Sequence, residues 1–216
     1  MLTFFCITYV SAIDIDGVLD EEEWDSAQQI SGFTTIVPYN FEDPKYQTNV
    51  RIFTDQDGIY IGFINEQDNE TIRSFNHIRD DWDDRGDKNS ITIDFDGNSK
   101  VAYGFTVSLG GSLADATYTN GNSESKDWDG DWIAKTFKGN NFWSSEFFIP
   151  WTVVPMQKVE GSKRNIKFIA FRWLASDEYG FGSTKTNWER ETFIYDLEDL
   201  IIDNYESCLL YTSPSP

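Results

Sequence analysis

Histidine, cysteine and basic residues are scarce in this chain of 216 residues. Its single histidine, His77, cannot build the usual zinc site, and any Ser-His-Asp triad would have to use it. Two cysteines are too few for a disulfide framework or a Cys-rich metal site. The 37 acidic residues outnumber the 17 basic ones, and the formal charge of −20 repels phosphate backbones and anionic membranes. Nucleic-acid partners are therefore excluded, whereas carboxylate chemistry, cation binding and aromatic recognition remain.

Long apolar runs are missing as well. The apolar run 2–10 is too short to span a bilayer, which takes about 20 residues. It matches the apolar part of a secretory signal, and Val10-Ser11-Ala12 resembles a cleavage site. Residues 1–12 are therefore predicted to be a complete or partial signal peptide, with a buried first strand as the alternative. The mature protein is then exported, and would be periplasmic, outer-membrane-associated or extracellular.

The C-terminal segment 208–216, CLLYTSPSP, is uncharged and follows a strongly acidic stretch. We interpret it as a non-native tail, which would mean that the natural protein continues beyond it. Residues 13–207 then form a single domain, with no internal repeat or linker.

Short alternating segments separated by turn residues run through this domain. Asp-Gly between two such segments is a strong hairpin signal. The clearest segments are Thr48–Asp55, Ile59–Asn65, Asn89–Asp96, Val101–Leu109 and Asn165–Ala175. One helical signal lies in Leu19–Ala27, where Asp20 is a candidate N-cap before three glutamates. The sequence predicts an all-β fold, an antiparallel sandwich or barrel, with one short helical turn near the N-terminus.

A set of ordered motifs resembles a known family. The segment 15–21, IDGVLDE, with Trp24 and Ala27, fits the pattern I-D-G-x-L-D-E-x-x-W-x-x-A that opens family 9 carbohydrate-binding modules and their relatives. Later family landmarks follow in order at Ile59–Gly62, Asp87–Asp96, Trp128–Trp132 and Glu146–Trp151. The resemblance covers residues 13–175. It implies a β-sandwich of two packed sheets that binds an oligo- or polysaccharide without catalysis, often in chains that degrade glycans.

The pair Arg79-Asp80 before the acidic central strand resembles a subfamily whose sandwich precedes an outer-membrane-type β-barrel. This implies covalent continuation into a C-terminal barrel. It also leaves an alternative function open, a structural or interaction domain at the periplasmic or outer face of a barrel, without sugar binding. A glycoside hydrolase part is a second alternative, although 37 acids make candidate carboxylate pairs uninformative. No haem or nucleotide is expected.

Two tryptophans in polar stretches are the predicted sugar platforms, because an indole offers a large, rigid face to the C–H side of a sugar ring. They are Trp82 and Trp188, and similar modules clamp a terminal sugar between two tryptophans. Asp83, Asn187 and Arg190 are the candidate hydroxyl partners. Alternatively, both rings pack over the rim of the sandwich or lie at an interface. The tryptophans expected to be structural are Trp24, Trp143, Trp151 and Trp173, with Trp128 and Trp132 undecided.

Seven aspartates lie between positions 80 and 96. Dense oxygen ligands on a loop suit Ca²⁺, and calcium is common in the family resembled. Asp80, Asp84 and Asp87 are the candidate ligands, and a solvated acidic loop is the alternative. An EF-hand is excluded at Asp127, because the twelfth position is Lys138 instead of an acid.

Overall fold

The computed structural model describes residues 13–81, 84–159, 161, 163–187 and 189–202. Regular structure in this part of the chain consists of strands and two short 3₁₀ turns, Glu22–Asp25 and Phe193–Tyr195. The strands are β1 Gln28–Ile30, β2 Thr34–Val37, β3 Thr48–Thr54, β4 Gly58–Glu66, β5 Lys88–Asp94, β6 Val101–Ser108, β7 Leu113–Thr119, β8 Ser123–Ser125, β9 Ile133–Lys138, β10 Phe142–Pro150, β11 Arg164–Leu174, β12 Tyr179–Gly182 and β13 Glu198–Ile202. The predicted all-β fold is confirmed.

The strands form two antiparallel sheets. The smaller sheet has the order β1-β3-β4-β10-β9. The larger sheet has the order β2-β12-β11-β5-β6-β7-β8, and β13 pairs with β11 beside β12. The hairpins predicted at the two Asp-Gly turns form as β3–β4 and β5–β6, and β9 and β10 form a further antiparallel hairpin.

The main core lies between the two sheets. Because side chains alternate along a strand, every second residue of the central strands points into it. Fully buried members include Val50, Ile61, Phe63, Ile91, Phe105 and Phe147. Burying each such side chain stabilises the fold by roughly 1.5–3 kcal/mol.

The segment that carries the opening motif, residues 13–27, covers the outer face of the smaller sheet. Trp24 is fully buried there and packs with Ile13 and Tyr60. Gly62 leaves room for the Leu19 side chain of this segment, since a Cβ at Gly62 would lie 2.3 Å from Leu19 Cδ2. The predicted helical turn is present as Glu22–Asp25, but its N-cap is Glu21 and not Asp20.

Glu146 of β10 holds this segment in place by hydrogen bonds. Its carboxylate accepts the backbone N–H groups of Gly17 at 2.8 Å and Asp16 at 3.1 Å, and Trp24 Nε1–H at 3.1 Å. Burial of the carboxyl raises the pKa of Glu146 to about 7. The motif segment is thus held by one buried acid and by apolar packing.

Among the described residues, no helix has the length and apolar character needed to cross a membrane.

Candidate functional site

A cleft of about 350 Å³ opens on the outer face of the larger sheet. Its floor consists of residues on neighbouring strands that point away from the core. On β11, Phe168, Ala170 and Leu174 belong to the core, whereas Ile169, Phe171 and Trp173 line the cleft. Strands β5, β6 and β7 contribute Lys88, Ser90, Thr92, Gly104, Thr106 and Tyr118. Because the floor belongs to paired strands, its side chains are rigidly placed.

Aromatic rings form one wall of the cleft. Phe171 and Trp173 are both half-buried, so each ring keeps exposed surface. Trp173 Nε1 donates to the backbone carbonyl oxygen of Asp84 at 2.9 Å, which fixes the orientation of the indole. Gly180 on the neighbouring strand leaves room for the Phe171 ring, because a Cβ there would lie 2.7 Å from Phe171 Cε2. This wall is an oriented apolar surface.

The polar groups of the cleft are of two kinds. The Ser90 and Thr106 hydroxyls on the floor bond each other at 2.7 Å. Charged and amide groups stand around them, namely Asp84, Lys88, Asn122, Glu124 and Lys126. An apolar wall with a few convergent polar groups is the usual chemistry of a small-ligand site.

Lys88 differs from the other charged groups in its burial. Only 7% of its side chain is exposed, whereas that of Asp84 is 69% exposed. The Lys88 ammonium donates to the Asp84 carboxylate and lies 5.8 Å from the centroid of the Trp173 ring. Lys88, Asp84 and Trp173 therefore form one connected group at the cleft.

A second, polar cleft of about 320 Å³ adjoins the first. It is lined by Asn120, Asn122, Ser123, Glu189 and Glu191, and Asn122 lines both clefts. The Gly121 carbonyl oxygen between the two asparagines accepts the Ile194 N–H at 3.0 Å. The β7–β8 turn is thereby tied to the loop that carries Glu189 and Glu191.

The loop before β5 is anchored by Asp87, which is fully buried. Its carboxylate accepts the N–H groups of Arg73 at 2.8 Å and Ala175 at 2.9 Å, and Gln67 Nε2–H at 2.9 Å. Arg172 donates to Gln67 Oε1 at 2.9 Å. Burial raises the pKa of Asp87 and lowers the pKa of Arg172 to about 10. These bonds fix the loop that carries Asp84 against the end of β11.

Three of the five predicted sugar-contacting residues, Trp82, Asp83 and Trp188, lie outside the described residues. Asn187 Oδ1 accepts the Glu189 N–H at 3.0 Å, and the Asn187 carbonyl oxygen accepts the Arg190 N–H at 3.0 Å. Arg190 is exposed. Neither Asn187 nor Arg190 is among the described residues that line the two clefts.

The three predicted calcium ligands have different partners. Asp80 accepts the Asp115 N–H at 3.1 Å, Asp84 pairs with Lys88, and Asp87 is occupied by its three donors. Within the described residues, no three histidine, cysteine, aspartate or glutamate side chains are grouped to hold a metal. Calcium binding stays a prediction, which melting curves with Ca²⁺ and with EDTA would check, because a ligand of the native state raises the melting temperature.

The other tryptophans divide by burial. Trp24 and Trp143 are fully buried, and Trp151 is nearly so. Trp128 and Trp132 pack edge-to-face on Phe105 in the core. Trp173, expected to be structural, instead lines the cleft. Lys88 was not predicted to belong to a site either. One weak indication for Trp173 was present in the sequence, because β11 has apolar residues on both faces and only one of these faces can point into the core.

Searches by sequence gave no match to a family model or to a curated protein. Solved structures do match. One is a protein of Bacteroides uniformis ATCC 8492 to which carbohydrate binding is provisionally assigned, with 11% identity, a TM-score of 0.64, and coverage of 82% of this chain and 87% of that chain.

Two other matches are structures of a family 9 carbohydrate-binding module from Caldicellulosiruptor kristjanssonii. The one in complex with cellotriose has 12% identity and a TM-score of 0.60, and covers 94% of this chain and 95% of that chain. The one in complex with glucose has 10% identity and a TM-score of 0.58, and covers 87% and 89%. The chain therefore has the β-sandwich fold of family 9 carbohydrate-binding modules, as the motifs predicted.

Proposed function

We propose that this chain is a non-catalytic carbohydrate-binding module whose ligand, an oligo- or polysaccharide, lies in the cleft on the outer face of the larger sheet. The observation that carries the proposal is the half-buried Trp173 indole, held in a rigid cleft of about 350 Å³ beside hydroxyl and charged groups. The shared fold supports it, since solved modules of this fold are complexes with cellotriose and glucose.

The chemistry of the cleft suits a sugar ring. One side of such a ring presents apolar C–H groups, which pack on an indole, while hydroxyls surround its rim. In the cleft, Trp173 and Phe171 offer apolar surface, and Lys88, Asn122 and Glu124 offer donors and acceptors around it. The size of the cleft lies within the roughly 300–1,000 Å³ typical of small-ligand sites. A stacked sugar ring would therefore meet both kinds of surface at once.

Trp82 and Trp188 are proposed as further stacking platforms, with Asp83, Asn187 and Arg190 as hydroxyl partners. Their neighbours in sequence support this. Asp84, two residues after Trp82, lines the first cleft, and Glu189, next to Trp188, lines the adjoining one. A ligand long enough to cross Asn122 would run from one cleft into the other.

Export is part of the proposal, because residues 1–12 have the composition of a secretory signal. Binding of external glycans would then serve carbohydrate catabolism by the parent protein or its partners. Continuation into a C-terminal β-barrel stays a prediction.

The test is affinity electrophoresis and calorimetry with soluble neutral glycans, beginning with cellotriose and glucose. The wild type should bind at least one of the glycans, and Trp173→Ala should weaken that binding by about tenfold or more, since about 1.4 kcal/mol of lost stacking is tenfold. The matched control is Phe137→Ala, an exposed aromatic on the smaller sheet, which should bind as the wild type does. Unchanged binding by Trp173→Ala would refute this location of the site. Unchanged binding by the double variant Trp82→Ala/Trp188→Ala would remove those two platforms from it.

A further inference from the structure

We infer that Lys88 and Asp84 are the specificity-determining pair of this cleft. They would bind two neighbouring hydroxyls of the sugar that stacks on Trp173, so the ligand is a neutral glycan with a free vicinal diol on that unit. The inference rests on the proposed function and names the chemical class of its ligand.

The burial of Lys88 is the first argument. Lysine is rarely buried, and its buried charge is costly unless well paired. Lys88 has a side chain only 7% exposed, yet its partner Asp84 is 69% exposed. An ion pair with such an exposed partner adds little stability. Stability alone therefore does not account for an ammonium held in this position.

The hydrogen-bonding capacity of the pair is the second argument. An ammonium has three donors, and Asp84 takes one of those of Lys88. The Asp84 carboxylate has several lone pairs and faces solvent. The cleft thus holds a donor on a buried side chain beside an acceptor on an exposed one. Two adjacent hydroxyls match this arrangement, because one can accept from Lys88 while the other donates to Asp84.

The position of the pair beside the indole is the third argument. The Lys88 ammonium lies 5.8 Å from the centroid of the Trp173 ring, and the Asp84 backbone carbonyl holds Trp173 Nε1. Because the ammonium lies over the face of the indole, a sugar that stacks on that face would come into direct contact with the ammonium. Among the described residues, the charged groups that line the cleft are two acids and two lysines, namely Asp84, Glu124, Lys88 and Lys126. They give the cleft no net positive charge to attract an acidic sugar, and the whole chain carries −20.

The experiment uses the full chain and calorimetry with cellotriose, xylotriose and mannotriose. The variants are Lys88→Met, which keeps the length of the stem, Asp84→Asn, which keeps the shape, and the double variant. Lys135→Met is the matched control, since it removes the same charge from an exposed position on β9 of the smaller sheet, outside the cleft. Melting curves of the free proteins verify that each variant is folded.

Each single variant should weaken binding of the best trisaccharide by about tenfold, because charge-assisted hydrogen bonds to the ligand are lost. The double variant should bind about as weakly as the singles, as two groups that act on one diol are not additive. Lys135→Met should bind like the wild type.

Affinity of Lys88→Met within about twofold of the wild type would overturn the inference while leaving the proposed function standing, provided that Trp173→Ala still weakens binding. Retention of the wild type by polygalacturonate, abolished in Lys88→Met, would make Lys88 an anion site and also overturn it. A wild type that binds no glycan refutes the proposed function, and this inference with it.

Discussion

The two outer faces of the sandwich differ in whether the chain covers them. Residues 13–27 cover the smaller sheet and bury Trp24 completely, whereas the larger sheet keeps an open cleft with a half-buried Trp173. On both faces a charged side chain lies almost without exposure at the point compared, Glu146 on the smaller sheet and Lys88 on the larger. Glu146 beneath the cover has three protein donors, but Lys88 in the cleft has an exposed partner. A buried charge satisfied by its own chain is structural, and one that retains spare donors beside open space is suited to a ligand.

The largest expected effect is on the covered face. Trp24→Ala should lower the free energy of unfolding by about 3–5 kcal/mol, because it leaves a cavity under the N-terminal segment. Urea denaturation measures the loss. Glycan affinity of the folded fraction should not change, and a matching loss of affinity would contradict the independence of the two faces.

Asp87 should affect stability and binding together. Asp87→Asn replaces an acceptor of three N–H groups by an amide that accepts through one oxygen only, so unfolding should become easier by roughly 1–3 kcal/mol. Affinity should fall too, because the loop that carries Asp84 loses its anchor. Denaturation and calorimetry on the same sample measure the two effects. If the variant is destabilised but binds glycan with normal affinity, Asp87 does not contribute to the binding geometry of the cleft.

Glu146 predicts a pH dependence that belongs to the covered face. Its pKa is raised by burial from 4.5 to about 7, so the folded protein binds this proton more tightly than the unfolded chain does. The contribution of Glu146 to the free energy of unfolding therefore decreases as pH rises from about 4.5 to about 7. Above about pH 7 this contribution no longer changes with pH. Glu146→Gln should remove that part of the slope in urea denaturation across this range. An identical slope in both proteins would show that Glu146 does not titrate there.

The smallest effect is expected on the floor of the cleft. Ser90→Ala removes the hydroxyl that is hydrogen-bonded to the Thr106 hydroxyl. The Thr106 hydroxyl remains and can still bond a ligand. Affinity should change by less than about tenfold, since one neutral hydrogen bond contributes roughly 0.5–1.5 kcal/mol. A larger loss in calorimetry would make the Ser90 hydroxyl a direct sugar contact.

Alternation along the chain was enough to predict the sandwich, because a period of two requires only local information. The same rule could not identify Trp173, since both faces of β11 are apolar and only the packed sheets show which face is open. The spacing of the aspartates in the acidic run also could not show that Asp87 is buried while Asp84 is exposed. One turns inward to Gln67 and Ala175, which are distant in sequence, and the other stays at the rim. Local pattern defines strands, whereas long-range partners decide what each carboxylate does.

The location of the site on the larger sheet is tested most directly by a glycan titration followed through the indole N–H signals in ¹H–¹⁵N NMR spectra. The Trp173 Nε1–H signal should shift in a saturable way with added glycan, while the Trp24 Nε1–H signal should stay in place. A bound glycan that leaves the Trp173 signal unmoved, or that moves the Trp24 signal instead, would contradict the location of the site on the open face of the larger sheet.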